Sequence, residues 1–404
     1  MVYVREIKLF ALKENKYVVY GNQRKATLET LNKIQLHISF MPVSLSSAQA
    51  PYFSDSYTPK TIINRDAEKL AIAEYLKGVM RKAAFKTLYI YGPPGVGKTT
   101  VARSVLMQFE SADPKAVVIY LDCTNLTRYQ VLRELSNMVC GRMEKKSSCS
   151  ELIERITGRL RSKKRTLVIA LDNFDKIKGV EELLWDFQGI MERTLKPIGL
   201  ILISTDKHDL TRLVSSRLYS RLRAEALYFK PYGADMIFHI LKERMLEAYG
   251  RHIAKTSALM EIAWYVEDNG GSARQALEIF MKAIEAAERN RHDLITPETV
   301  REVLRIEKNE KLREKLKLLK EKKTGAFETL RAIAELAGAK KSIYTGILER
   351  YLRSKGARIS RRAIEYHLKE LEAMKLIELR RVRKGKGMST DIRLNIPRET
   401  ILQI

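Results

Sequence analysis

The stretch that decides the fold of this 404-residue chain reads Gly92-Pro93-Pro94-Gly95-Val96-Gly97-Lys98-Thr99-Thr100. It contains the pattern G-x-x-x-x-G-K-[ST], whose glycines let backbone N–H groups converge on phosphates at the start of a helix. An apolar run, Leu88–Tyr91, precedes the motif, and a helical pattern, Thr100–Phe109, follows it. A glycine-rich turn that matched by accident would need neither neighbour. The sequence therefore predicts a phosphate-binding loop for a nucleoside triphosphate, with Gly92 to Thr100 as its contacts.

Two further positions define the chemistry expected at this loop. Lys98 is predicted to reach the β- and γ-phosphates, and the Thr99 hydroxyl to ligate Mg²⁺. A second apolar run ends in Asp172, which we expect to hold the metal through water. The next residue is Asn173, where a triphosphatase of this kind usually has glutamate, and an amide can position water but cannot accept its proton. The sequence predicts firm binding with slow or absent hydrolysis, and it leaves open whether the chain is an enzyme.

The charge of the chain points to a second class of ligand. Lys and Arg number 74 against 48 Asp and Glu, which gives a formal net charge of +26. Such an excess favours polyanions, either nucleic acid or an anionic membrane. No apolar run approaches the length of a membrane span, and three cysteines without a C-x-x-C pair exclude a disulfide scaffold or cysteine-rich zinc site. We therefore expect a cytoplasmic protein that contacts nucleic acid and no membrane.

Composition and periodicity divide the chain into five parts. Short apolar runs alternate with helical patterns between the loop region and Ser204, which is typical of a parallel sheet covered by helices. After Pro231 the pattern is helical throughout, and a heavily charged helical connector follows. The predicted parts are an N-terminal arm (1–55), a nucleotide-binding α/β domain (56–232), a helical domain (233–306), a connector (307–323) and a C-terminal domain (324–404).

The C-terminal part has the pattern of a winged helix. Residues 307–404 contain 26 basic and 13 acidic residues, half of the net charge. Ser360 caps a predicted third helix, on which Ile364, Leu368 and Leu371 share one face and must turn to the core. A basic hairpin follows it and resembles a wing. The candidate DNA contacts on the helix and wing are Arg361, Arg362, Tyr366, Lys369, Arg383, Lys384 and Lys386. A winged helix used for protein contacts is the alternative.

These motifs together resemble the AAA+ ATPases of the archaeal origin-recognition and cell-division-cycle replication initiator family. The segment from Tyr57 to Asp66, with Arg65, looks like the entry sequence that lines the adenine pocket, and residues 171–175 resemble the acidic motif. The resemblance implies ATP or ADP with Mg²⁺ as the cofactors. It also implies the following candidate site residues: Thr205 at the first sensor, Arg217 as an arginine finger, Tyr232 beside the nucleotide, Arg274 at the second sensor and Arg128 in a DNA-contacting insertion. The implied architecture is an AAA+ P-loop domain, an all-α lid and a winged helix.

The resemblance further implies a function and partners. It implies an ATP-binding initiator that recognises double-stranded origin DNA, with ATP acting as a conformational switch. Its implied partners are a replicative helicase of the minichromosome-maintenance type and other initiator subunits, at the nucleoid. The alternative is an AAA+-like DNA-binding switch in signalling or transcription that loads no helicase. Arg128 and Arg217 could also be ordinary surface arginines of a basic protein.

Overall fold

The computed structural model forms two compact units, residues 1–300 and 301–404. It describes residues 11–12, 16–17, 47–54, 57–59, 61–81, 86–114, 116–142, 147–162, 166–194, 198–339, 342–357, 359–384 and 387–404. Most of the predicted N-terminal arm therefore lies outside the described residues. Two short antiparallel strands, β1 (Ala11–Leu12) and β2 (Lys16–Tyr17), and a 3-10 helix (Ser47–Phe53) belong to it.

A five-stranded parallel sheet forms the centre of the first unit. Its strands are β3 (Lys86–Tyr91), β4 (Ala116–Asp122), β5 (Thr166–Asp172), β6 (Ile198–Ser204) and β7 (Ala224–Tyr228), in the order β4-β5-β6-β3-β7. The first four confirm the predicted apolar runs. The edge strand β7 was not predicted, because none of its residues is fully buried and so it carries no continuous apolar run. The carboxyl ends of all five strands meet at one edge, where ligands of such sheets bind.

Helices cover the sheet and build the rest of this unit. Those around the sheet are α1 (Asp66–Arg81), α2 (Lys98–Ala112), α3 (Arg128–Cys140), α4 (Cys149–Ser162), α5 (Val180–Thr194), α6 (Asp209–Leu213) and α7 (Ser216–Leu222). The lid that follows consists of α8 (Ala234–Tyr249), α9 (Thr256–Asp268) and α10 (Ala273–Arg289), which confirms the all-helical prediction. The next helix, α11 (Pro297–Lys322), begins at a proline, which suits the first position of a helix because its missing N–H would have no partner there.

The second unit contains the rest of α11, then α12 (Thr324–Ala339), β8 (Ile343–Tyr344), α13 (Thr345–Ser354), α14 (Arg361–Ala373), β9 (Ile377–Lys384), β10 (Gly387–Leu394) and α15 (Arg398–Leu402). The three strands form an antiparallel sheet in the order β8-β10-β9. This is a winged helix, as predicted. Leu316 and Leu319 of α11 are buried in its core, because this part of the charged connector still carries an apolar stripe. The four predicted boundaries between the five parts stay predictions. In the described part of the chain, no helix is both long and apolar enough to cross a membrane.

Candidate functional site

The glycine-rich loop joins the carboxyl end of β3 to the first residue of α2. Gly95 has φ of 76°, which favours glycine, and a Cβ on it would overlap the Ser272 hydroxyl at the start of α10. The backbone N–H of Ala273 donates to the Gly95 carbonyl over 3.0 Å. The loop is therefore packed directly against the first turn of a lid helix.

Lys98 is buried at the start of α2 and points back into the loop. Its Nζ donates to the carbonyls of Gly92, at 2.7 Å, and Pro93, at 2.8 Å. Burial lowers the pKa of this ammonium group to about 8, against a smaller opposing effect of the Asp172 carboxylate. Desolvated cations bind phosphate strongly because no water must be removed from them first.

The structure brings Thr99 and Asp172 together. The Thr99 hydroxyl donates to Asp172 Oδ2 over 2.6 Å, and the Tyr120 hydroxyl of β4 donates to the same oxygen. Hydroxyl and carboxylate oxygens are among the ligands that Mg²⁺ prefers. In the described part of the chain, no three His, Cys, Asp or Glu side chains form a metal cluster. A magnesium ion held by Thr99 and Asp172 would therefore take its remaining ligands from phosphate and water.

Asn173 follows β5 in the left-handed region, with φ of 55°, a conformation that asparagine tolerates better than most residues. Its Nδ2 donates to Asp122 Oδ1 over 3.1 Å and to Thr124 Oγ1 over 3.2 Å. Burial alone would raise the pKa of Asp122, but hydrogen bonds from Thr124 and Asn173 outweigh it and hold the pKa below its usual value. Asp122 was not predicted from the sequence, although it ends β4 as Asp172 ends β5.

A cavity of about 290 Å³ extends from the loop to the lid. At its phosphate end it is lined by predicted residues, among them Pro94, Gly95, Gly97, Lys98, Thr99, Thr100, Asp172, Asn173, Thr205, Tyr232 and Arg274. Thr205 follows the carboxyl end of β6, and Arg274 lies in the first turn of α10. The structure thus brings both candidate sensors to the same cavity as the loop.

The opposite end of the cavity is apolar with a charged rim, and apart from the entry segment around Ile62 and Ile63 the sequence did not predict it. Ile240 and Leu277 of the lid also line it. The buried guanidinium of Arg244 lies 4.7 Å from the centre of the Tyr57 ring, and the Tyr57 hydroxyl donates to Glu247 over 3.2 Å. Flat apolar walls with a few polar groups suit a nucleotide base.

Arg65 lies behind the loop, with only 3% of its surface exposed. Its Nη2 donates to the Val96 carbonyl over 3.0 Å and to the Lys230 carbonyl over 2.7 Å. The guanidinium carbon is 4.1 Å from the centre of the Tyr232 ring. Arg65, which was predicted to contact the nucleotide, is therefore placed to support the loop from behind.

Two other predicted arginines lie on the surface of the same unit. Arg217 of α7 is exposed, with its guanidinium carbon 5.7 Å from the Trp185 ring centre, and it is not among the residues that line the cavity. Arg128, the first residue of α3, donates to both carboxylate oxygens of Asp186 over 2.7 and 2.9 Å. Its guanidinium therefore already has a strong partner within the protein.

The third helix of the winged-helix unit is α14. The Ser360 side chain accepts from the Ala363 N–H, and Ile364, Leu368 and Leu371 are buried, which confirms the predicted cap and core face. Arg361, Arg362, Tyr366 and Lys369 are exposed on the helix, as is Arg383 on β9. The side chains of Lys384 and Lys386 lie outside the described residues.

Three parts of the chain match models of known protein families. Residues 85–213 match the model of an AAA domain, residues 238–304 that of the Cdc6 AAA+ ATPase-type lid domain, and residues 328–392 that of the ribonuclease R winged-helix domain. The ORC1-type DNA replication protein 1 of Haloarcula marismortui is 30% identical over 308 residues, which cover 69% of this chain and 72% of the relative.

Two solved structures share the fold. The Aeropyrum pernix ORC1 protein, solved in complex with DNA, is 24% identical and aligns with a TM-score of 0.55 over 87% of this chain and 94% of its own. The A. pernix ORC2 protein, solved as ADPNP–ADP complexes, is 20% identical and aligns with a TM-score of 0.58 over 87% and 95%. Both structures align with the greater part of this chain, which contains an AAA domain, a helical lid and a winged helix.

Proposed function

The chain belongs to the family of ORC1-type DNA replication proteins, and from this premise we propose that it is an initiator that binds ATP and double-stranded DNA at a replication origin. One observation carries the proposal. The same chain has a phosphate-binding loop with a buried lysine and a helix that exposes Arg361, Arg362, Tyr366 and Lys369, together with Glu365. A nucleotide site and a duplex-reading helix in one protein are what an origin-binding switch requires.

ATP is proposed to bind with its phosphates on the loop and its base between the apolar walls near Ile62 and Leu277. Mg²⁺, held by Thr99 and Asp172, would neutralise phosphate charge when bound. Lys98 then exchanges its two loop carbonyls for phosphate oxygens. Ser272, Ala273 and Arg274 lie at the seam between loop and lid, so a γ-phosphate there would bias how loop and lid are arranged.

Slow or absent hydrolysis is part of the proposal, because Asn173 supplies an amide where a carboxylate would polarise water. ATP would then act mainly as a ligand that selects one arrangement of loop and lid. Thr205 is the proposed second polar group beside the γ-phosphate. Arg217 could reach a nucleotide only in another subunit, and the helicase and further initiator subunits remain partners proposed from family resemblance.

DNA is proposed to contact the exposed face of α14 and the basic hairpin of β9 and β10, at the nucleoid. Arg362 and Tyr366 lie on the helix, where fixed side chains can read base edges, whereas Arg383 lies on the hairpin, which suits phosphates. The hairpin tip residues Lys384 and Lys386 belong to the same proposal.

The test is a genome-wide map of binding sites compared with replication start sites. Enrichment at start sites, weakened by Arg362→Ala, is the expected result, together with capture of the replicative helicase. Enrichment at promoters without the helicase would support a transcription switch and contradict the proposal. Glu321→Gln, an exposed change on α11, serves as the matched control in the same unit.

A further inference from the structure

Asp122 and Asn173 form a polar pair beside the cavity that nucleotide binding does not require. Asp122 is the register partner of Asp172, so the two side chains leave neighbouring parallel strands on the same face and at the same edge. Asp122 Oδ1 accepts from the Asn173 Nδ2 at 3.1 Å, and also from the Thr124 N–H at 3.1 Å and hydroxyl at 2.7 Å. The carboxylate is therefore held from both sides.

This pairing fixes the direction of the Asn173 carboxamide. A carboxamide carries its oxygen and its nitrogen on different arms of one plane, so anchoring the nitrogen also orients the oxygen. The reverse orientation would place the amide oxygen against a carboxylate, two acceptors without a proton between them. With Nδ2 committed to Asp122 and Thr124, the Oδ1 arm is turned away from them. Among the described residues, no group donates a hydrogen bond to that oxygen.

Asn173 lies where its oriented oxygen can contact a water molecule beside the phosphates. Asn173 lines the same cavity as Lys98, Asp172 and Thr205, at the phosphate end. An acceptor at that place can take a hydrogen bond from a water molecule next to the γ-phosphate. It cannot take the proton itself, so it can orient the water without acting as a base.

Resting on the proposed function, we propose that Asp122 is a positioning residue for ATP hydrolysis, which holds the Asn173 carboxamide with its oxygen toward the attacking water. The water oxygen forms the new bond to the γ-phosphorus, and the bond from that phosphorus to the bridging oxygen breaks. ADP leaves with the electron pair of that bond, and the proton of the water passes to an oxygen of the transferred phosphate. The site thereby hydrolyses ATP slowly by orientation alone.

The experiment measures single-turnover hydrolysis of radiolabelled ATP with Mg²⁺ by the full-length protein, and separately its affinity for ATP. Asp122→Ala removes the oxygen that accepts all three hydrogen bonds and should lower the rate constant roughly tenfold to a hundredfold, with ATP affinity unchanged within about twofold. Asp122→Asn keeps an acceptor oxygen at this position and should lower the rate constant less. Asp268→Asn, an exposed carboxylate at the end of α9, is the matched control and should change neither quantity.

A reciprocal exchange separates this role from a merely structural one. D122N combined with N173D restores an amide–carboxylate pair across the two strands, with the carboxylate now facing the cavity, so turnover should return to at least the wild-type rate. Thr124→Val, which removes the second holder of the Asn173 amide, should lower turnover and keeps the test decisive if the Asp122 variants are poorly folded. Unchanged turnover in the Asp122→Ala and Thr124→Val variants, or loss of rate matched by loss of ATP affinity, would overturn the proposal.

The same measurements distinguish failure of the Asp122 proposal from failure of the proposed function. A wild-type protein that binds ATP and DNA but shows no turnover overturns the role of Asp122 and leaves the initiator proposal standing. A wild-type protein that binds neither ligand contradicts the initiator proposal itself.

Discussion

In the nucleotide cavity Lys98, Thr99 and Asn173 already have protein partners, whereas on the exposed face of α14 Arg362 and Lys369 have none among the described residues. Lys98, Thr99 and Asn173 each donate hydrogen bonds to neighbouring protein groups. Arg362 and Lys369 make no hydrogen bond or ion pair with the residues that the structure describes. The cavity side chains lost most of their conformational freedom when the protein folded. The side chains on α14 must lose theirs on binding, which costs free energy at that point. The difference suits a ligand of fixed shape in one case and a duplex of variable sequence in the other.

The largest effect is expected from a substitution in the nucleotide cavity, whose side chains are already held by protein partners. Lys98→Ala should weaken ATP binding at least about a hundredfold, close to 3 kcal/mol, because a desolvated cation against the phosphates is lost. Stability without nucleotide should not fall, because a buried charge has been removed. Isothermal titration and thermal melting measure both effects, with Lys77→Ala, an exposed lysine of α1, as the control. Weakening of tenfold or less would show that the loop backbone does most of the binding.

Arg362→Ala tests whether the uncommitted side chains read sequence. It should cost about 1–3 kcal/mol on the preferred duplex and much less on a random one, as expected for a donor to base edges. Titrations against both duplexes at several salt concentrations measure the difference. Equal loss on the two duplexes would mean that α14 holds the DNA backbone without reading bases.

Arg128→Ala sharpens the comparison, because this candidate DNA contact resembles the cavity residues in having a partner. Removing it strands the mostly buried Asp186 carboxylate, so we expect the free energy of unfolding to fall by about 1–2 kcal/mol. DNA affinity should change little. Denaturant unfolding and DNA titration decide, with the exposed Arg133→Ala on the same helix as the control. A stable variant with a clear loss of DNA affinity would restore Arg128 as a DNA contact.

Arg383→Ala should have the smallest effect. Arg383 is exposed on β9 beside the hairpin tip, where a cation can follow the phosphates without a fixed donor pattern. We expect all duplexes to be weakened alike and the log–log salt dependence of binding to become shallower by about one unit. A loss confined to one sequence would move Arg383 to the base-reading set.

The parts that sequence could predict are those encoded by neighbouring residues. The loop, four strands, the helical lid and the core face of α14 follow from local motifs and from apolar periods that a single segment carries. Lys98, Thr99 and Asp172 could also be assigned to one site, because the motif and the strand end are tied to one sheet edge; their roles toward nucleotide and metal stay predictions. Asp122 was missed because only the register between β4 and β5 brings it to Asn173. Arg244 was missed because a charged residue on a lid helix is expected to be exposed to solvent. Only the structure shows that it packs against Tyr57.

The contact between Gly95 and the start of α10 has a consequence for timing. The cavity is bounded by the loop on one side and the lid on the other, and a hydrogen bond between Ala273 and Gly95 closes the seam next to the phosphate end. If the proposed nucleotide is released only when this seam opens, its residence time is set by how often the seam opens as well as by affinity. If hydrolysis is slow too, a molecule loaded once with ATP keeps that state long after free nucleotide levels have changed. The bound nucleotide then works as a record of when the protein was loaded.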